Sequence, residues 1–135
     1  MRNFLVSVLL AFFACGCAGG PPKIAAGTPC THCGMAVAER RFACARQEGR
    51  AVHAYDSIEC LLTEDGEDEG DWLSDYDTRT LHPADSMWVV RGSFPSPMGG
   101  GYAAFADRRA ADEVATRTNG SVARLAEWQA ERGRP

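Results

Sequence analysis

The chain has no basic stripe. Its 135 residues carry 14 Lys and Arg against 18 Asp and Glu, a net charge of −4, and nowhere do the cations gather as a phosphate-binding face requires. Nucleic acid is excluded as the partner. Only one apolar run is long, at positions 4–14 and broken by Ser7 alone, and it is well short of the roughly 20 residues of a spanning helix. No nucleophile–base pair and no pair of catalytic carboxylates stands out, so the chain is not expected to be an enzyme. A second Cys-x-x-Cys and a His-x₃₋₅-His pair are both missing, which leaves a structural zinc site only scattered ligands.

What is there begins with an export signal. Arg2 supplies a positive charge, the apolar run follows, and small residues with two cysteines close the segment: Ala14-Cys15-Gly16-Cys17-Ala18. That order predicts a signal peptide with a lipobox over 1–17. Cys17, behind Gly16, is the expected lipidation site, with Cys15 as the alternative. The chain is therefore expected on the periplasmic face of a bacterial membrane, held by its lipid. Removing the leader takes Arg2 with it and makes the remainder more acidic still.

Positions 18–29 are small, rich in Gly and Pro and uncharged except at Lys23, the composition of a flexible tether. A single domain is expected over 30–135. Its elements come in a repeating order. Short strands are predicted at 35–39, 41–46 and 51–55, then a helix capped by Asp56 with Glu59 as the far half of a capping box and Cys60 on its first turn. The acidic stretch 64–71 reads as a solvated linker that cuts this helix short. Strands at 86–90 and 102–105 follow, separated by a Gly- and Pro-rich loop. A helix capped by Asp107 runs to Asn119-Gly120, and a last strand and helical turn occupy 121–132. The economical architecture is α+β, two small ββαβ-like units packed together, about 30–75 and 85–130.

Six cysteines in an exported chain ordinarily suggest disulfides. With Cys15 and Cys17 spent on the leader and the lipid, Cys30, Cys33, Cys44 and Cys60 remain, and their spacing does not choose a pairing. Cys44 reads as a core thiol. The densest cluster is Cys30-Thr31-His32-Cys33-Gly34-Met35. A redox Cys-x-x-Cys normally opens a helix, whereas Gly34 and a strand-like segment follow this one. Thiolate and thioether together are soft donors that select Cu(I). Cys33 and Met35 can point to one centre, either through a bend at Gly34 or as i and i+2 on one strand face. Met98, in a loop with three consecutive glycines, is the obvious third donor by type, although judged alone it reads more readily as a loop hydrophobe tucked on the core. Cys30, Cys60 and His32 are possible additional metal or redox residues. His53 and His82 read as a strand-face and a loop histidine. If Cys30 and Cys33 oxidise to a disulfide, thiolate binding is lost, so metal loading and thiol reduction are expected to be coupled.

Three motifs in order, Cys30-x-x-Cys33-Gly34-Met35, then Tyr55-Asp56-Ser57-Ile58-Glu59-Cys60-Leu61, then Ser96-Pro97-Met98-Gly99-Gly100-Gly101-Tyr102-Ala103-Ala104-Phe105, resemble the NosL family. The resemblance runs over nearly the whole mature chain. It implies a Cu(I) chaperone outside the cytoplasm, a lipoprotein that supplies the copper–sulfide centre of nitrous oxide reductase, built from two ββαβ-like units. It also implies the copper ligands, which fall on Cys33, Met35 and Met98. Two alternatives stay open: a periplasmic thiol–disulfide oxidoreductase using Cys30 and Cys33, and a copper sensor or store that never delivers its metal.

Overall fold

The computed structural model describes residues 19–64 and 70–133. The predicted leader and lipobox, with Cys15 and Cys17, lie outside the described residues. The first half contains β1 (Cys44–Glu48), β2 (Ala51–Tyr55), α1 (Ile58–Thr63), β3 (Asp71–Ser74) and β4 (Leu81–Pro83). The second contains β5 (Trp88–Arg91), β6 (Tyr102–Phe105), α2 (Arg108–Arg117), β7 (Ser121–Ala123) and α3 (Leu125–Arg132). All strand pairs within the two sheets are antiparallel. The sheet orders are β2-β1-β3-β4 and β6-β5-β7. Each half is thus a hairpin, a helix and a strand that returns beside the first strand of the hairpin. The fold is α+β with two ββαβ units, as predicted.

The first hairpin turns at Gly49-Arg50, with Glu48 facing Ala51. Gly49 takes φ +60, which a two-residue hairpin turn demands at its first central position and glycine adopts without a Cβ clash. The second sheet is buried on both faces by simple alternation. Val89, Tyr102 and Ala104 face a core shared with Leu61 and Leu73 of the first half and with Trp128 of α3. Val90, Ala103 and Phe105 face the other way, toward Ala111 and Ala115 of α2 and toward Phe42. Trp128 is buried, and its Nε1–H donates to the Val89 carbonyl at 3.1 Å, which fixes α3 on the sheet.

Asp75 joins the halves. It forms a parallel bridge with Ala104, and the Tyr76 N–H donates to the Ala104 carbonyl at 2.8 Å. The Asp75 carboxylate accepts from the Asp77 and Thr78 amides at 2.9 and 2.7 Å and from the Ala106 amide at 2.7 Å. Burial pushes this carboxyl up, but the N–H donors of Ala106, Thr78 and Asp77 outweigh burial and hold it below the usual carboxylate range.

Several expectations are corrected. Positions 35–39 are not a strand: Pro29 and Ala36 form an isolated antiparallel bridge. Gly34 at φ +78 turns the chain back between them. Strand β1 starts at Cys44, because Arg40–Phe42 coil into a 3-10 turn that buries Phe42. The cap of α1 is Ser57, whose Oγ accepts from the Cys60 amide at 3.3 Å; Glu59 reaches instead to Ser96 and Gly100. The acidic stretch does not stay in solvent to its end, since Asp71 is the first residue of β3 and is 3% exposed. Ordered contacts also begin before Cys30, with Ile24 packed against Val37, Ala43 and Ala54.

Candidate metal centre

The turn that carries Cys30 and Cys33 is pinned by its backbone. The Cys30 N–H donates to the Met35 carbonyl at 2.7 Å, and the Gly34 N–H donates to the Cys30 carbonyl at 2.9 Å. The Val37 N–H reaches the Thr28 carbonyl at 2.8 Å, and the Thr31 N–H ties the turn to the Ala54 carbonyl of β2 at 2.8 Å. The chain bends at Gly34, φ +78, rather than running on as a strand through Cys33 and Met35. The same tie to β2 brings the turn against the start of α1, where Asp56 ends the hairpin and Cys60 occupies the first helical turn.

Four ligating atoms meet there. The sulfurs of Cys30, Cys33 and Cys60 and a carboxylate oxygen of Asp56 all lie within 4.8 Å of one another. Cys30, Asp56 and Cys60 are buried, and Cys33 is the half-buried member. All four described cysteines are free thiols. Burial raises the Cys33 thiol above its ordinary range, partly opposed by the Met35 N–H. Burial pushes Cys60 much higher, with the nearby Asp56 carboxyl adding to the rise and the Ser57 hydroxyl opposing it. Redox-active cysteines are the reverse case, with thiolates stabilised by a helix N-terminus or a cation. Three soft donors converging without a disulfide suit a soft metal ion.

The remaining predicted residues divide clearly. Met35 and Met98 are exposed, at 47% and 44%, which is unusual for so apolar a side chain on two separate loops. His32 turns to Glu64, with Nδ1 at 2.6 Å from Oε1, and is not part of the quartet. His53 stands 3.6 Å from Glu48, and His82 pairs across from Leu73 in β4. Cys44 is fully buried, its Sγ–H donating to the Phe42 carbonyl at 3.3 Å, a core thiol as expected.

The Met98 loop is not left to itself. Glu59, beside Cys60 on α1, accepts from the Gly100 amide at 2.8 Å and from the Ser96 hydroxyl at 2.9 Å. Ser96 Oγ in turn accepts from the Gly101 amide at 2.9 Å. A Cβ at Gly100 would come within 2.6 Å of Glu59 Cγ, so a larger residue there would push the Glu59 side chain off its present contacts. Glu59 thus couples the loop of the second half to the helix that carries Cys60. Replacing Glu59 by alanine is expected to cost about 1–3 kcal/mol, since charge-assisted bonds are lost and their donors are left without an acceptor. Urea unfolding measures the cost, and amide exchange at Gly100 and Gly101 should accelerate well beyond that of β5. Unchanged exchange at those two amides would show that the loop does not depend on Glu59.

Sequence reasoning missed Asp56 as a potential ligand because it spent the carboxylate on the helix cap. The signal was present: Asp56-Ser57 offers two cap-forming side chains for one position, so one is left over.

The chain superposes on the crystal structure of the copper chaperone NosL from Shewanella denitrificans with a TM-score of 0.65 and 20% sequence identity, over 79% of this chain and 96% of that one. It has a NosL-like fold. No family model and no curated protein matches it. At this identity the likeness carries the fold, and the candidate metal centre stands on its own geometry. Within the NosL-like fold the sulfur cluster sits where the Cys-x-x-Cys turn meets the first helix, and the one side chain of the cluster open to solvent is Cys33.

Proposed function

We propose that this protein binds Cu(I) outside the cytoplasm and hands it to a client copper enzyme, working as a lipid-anchored chaperone. The observation that carries this is the convergence of three free thiols, with Cys33 at the solvent side, in a NosL-like fold. The resemblance to the NosL family assigns the cargo ligands to Cys33, Met35 and Met98, of which Cys33 belongs to the thiol cluster. Cys33 supplies the anionic sulfur that gives affinity. The two thioethers carry no charge and no proton, so they bind weakly at any pH and leave readily. Their exposure suits ligand exchange. An incoming thiolate, thioether or imidazole of the client displaces a methionine first, and Cys33 is the last bond to break. The resemblance to the NosL family suggests the copper–sulfide centre of nitrous oxide reductase as the destination.

A competition titration tests the ligand set. Reduced protein is titrated with Cu(I) against a strong chromophoric chelator, comparing wild type with Met35→Leu and Met98→Leu. Each substitution conserves volume on an exposed side chain, so folding should be unaffected. Each is expected to weaken Cu(I) about tenfold, or about 1.4 kcal/mol. Wild-type affinity in both variants would refute this ligand set. Equal importance of Cys30 and Cys33 in disulfide exchange, with no effect of either methionine, would instead favour a thiol oxidoreductase.

A further inference from the structure

The cargo set uses one member of the quartet, Cys33, and leaves Cys30, Cys60 and Asp56 without a role. Asp56 is 4% exposed, and its buried Oδ1 meets no hydrogen-bond partner. An unpartnered buried oxygen of this kind is costly and calls for a specific explanation. Helix capping does not provide it, since Ser57 holds that position. A Cu(I) ion does not provide it either, because two or three sulfurs satisfy that ion and a hard oxygen adds little.

Zn(II) takes thiolate and carboxylate together. Its closed sites are tetrahedral, with Zn–S near 2.3 Å and Zn–O about 2.0–2.2 Å, which places neighbouring donors about 3.5–3.8 Å apart. The four donor atoms here already lie within 4.8 Å of one another, so a contraction of roughly 1 Å closes the shell. Charge favours the same ion. Three thiolates and a carboxylate in a buried site are balanced better by two positive charges than by one. The donors are scattered along the sequence, as Cys30, Cys33, Asp56 and Cys60, and therefore match no zinc motif.

We propose that Cys30, Cys33, Cys60 and Asp56 form a closed four-coordinate Zn(II) site, filled when Cys33 is not holding Cu(I). Binding forms three Zn–S bonds and one Zn–O bond and releases the thiol protons to solvent; no electron moves. Cys33 belongs to both ligand sets, so the two ions compete through one sulfur. A Cu(I) ion bound at Cys33, Met35 and Met98 takes a corner from the zinc shell, and zinc in place keeps all three thiols from oxidising.

The test uses the purified full-length chain, handled without oxygen and kept reduced with a phosphine. Co(II) is the probe. The expected result is one Co(II) per chain with the intense visible bands of a tetrahedral ion and sulfur-to-cobalt charge transfer, both bleached by one equivalent of Zn(II). Asp56→Asn should weaken Zn(II) by about 10–100-fold while leaving Cu(I) affinity at the wild-type value. The Met35→Leu and Met98→Leu variants should do the opposite, which separates this site from the copper set. A weak six-coordinate Co(II) spectrum in the wild type would overturn the proposal, as would wild-type Zn(II) affinity in a folded Asp56→Asn. Should Asp56→Asn fail to fold by circular dichroism, the wild-type Co(II) spectrum decides alone.

Discussion

Arg46→Ala is expected to destabilise the protein by about 3–5 kcal/mol, a large part of the 5–15 kcal/mol that holds a typical domain together. Arg46 on β1 and Asp71 on β3 form a two-pronged pair, Nε to Oδ1 at 2.7 Å and Nη2 to Oδ2 at 3.1 Å. Their side chains are 3% and 0% exposed. The two residues face each other across the ladder that joins the strands. Truncating the arginine takes the guanidinium away from a carboxylate that has no access to bulk water, and breaking a buried pair from one side is costly. Urea denaturation gives the number directly. The double replacement Arg46→Met with Asp71→Leu removes both charges together and should recover most of the loss. A single-variant cost below about 1 kcal/mol, the range of an exposed pair, would mean that the pair is solvated in solution. The consequence reaches the candidate metal centre, because β3 pairs with β1 after the chain leaves α1, the helix that carries Cys60.

Cys33→Ser is expected to lower Cu(I) affinity by at least about 100-fold, or roughly 2.7 kcal/mol. A serine hydroxyl is a hard, neutral donor of similar shape, so the change removes the only anionic sulfur of the cargo set and little else. Cys33 is half-buried, and its loss leaves the buried sulfurs of Cys30 and Cys60 in place, so the unfolding midpoint should move little. Cys44→Ala is the control: that thiol lies outside the quartet, and its removal should leave Cu(I) affinity unchanged while costing stability through a small core cavity. Cu(I) competition on both variants gives the contrast. An affinity for Cys33→Ser within about threefold of wild type, or about 0.7 kcal/mol, would sink the assignment of Cys33 as the anchoring ligand.

The second half was the more legible in the sequence. Tyr102-Ala103-Ala104-Phe105 followed by Asp107 and an amphipathic stretch is a strand, a cap and a helix in unambiguous order, and each appears where expected. The first half was harder because its signals overlap. Asp56, Ser57 and Glu59 are all cap-forming or cap-completing types, and only the packing decides that Ser57 caps while Glu59 reaches across to Gly100. Strands β3 and β4 went unread because the preceding acidic run masks Asp71 as one more solvated charge, and because Leu81-His82-Pro83 ends on a proline, which argues against a strand. The thiol–carboxylate cluster was half legible. Cys30, Cys33 and Cys60 stand out in the sequence as candidate donors, but the approach of Cys60 and Asp56 to the Cys-x-x-Cys turn depends on the β1–β2 hairpin folding back. That is a long-range event with no local signature.

The matching strand orders β2-β1-β3 and β6-β5-β7 make the molecule its own comparison. Counting from each helix cap, Ser57 corresponds to Asp107, so the positions of Asp56 and Cys60 correspond to Ala106 and Ala110. Where one half presents a carboxylate and a thiol, the other presents two methyl groups. The loop between β5 and β6, whose counterpart in the first half is a two-residue turn, has instead grown to carry Met98. A single architectural plan thus appears twice with different fittings: one copy gathers the thiols and the carboxylate, and the other reaches over to α1 with a long loop.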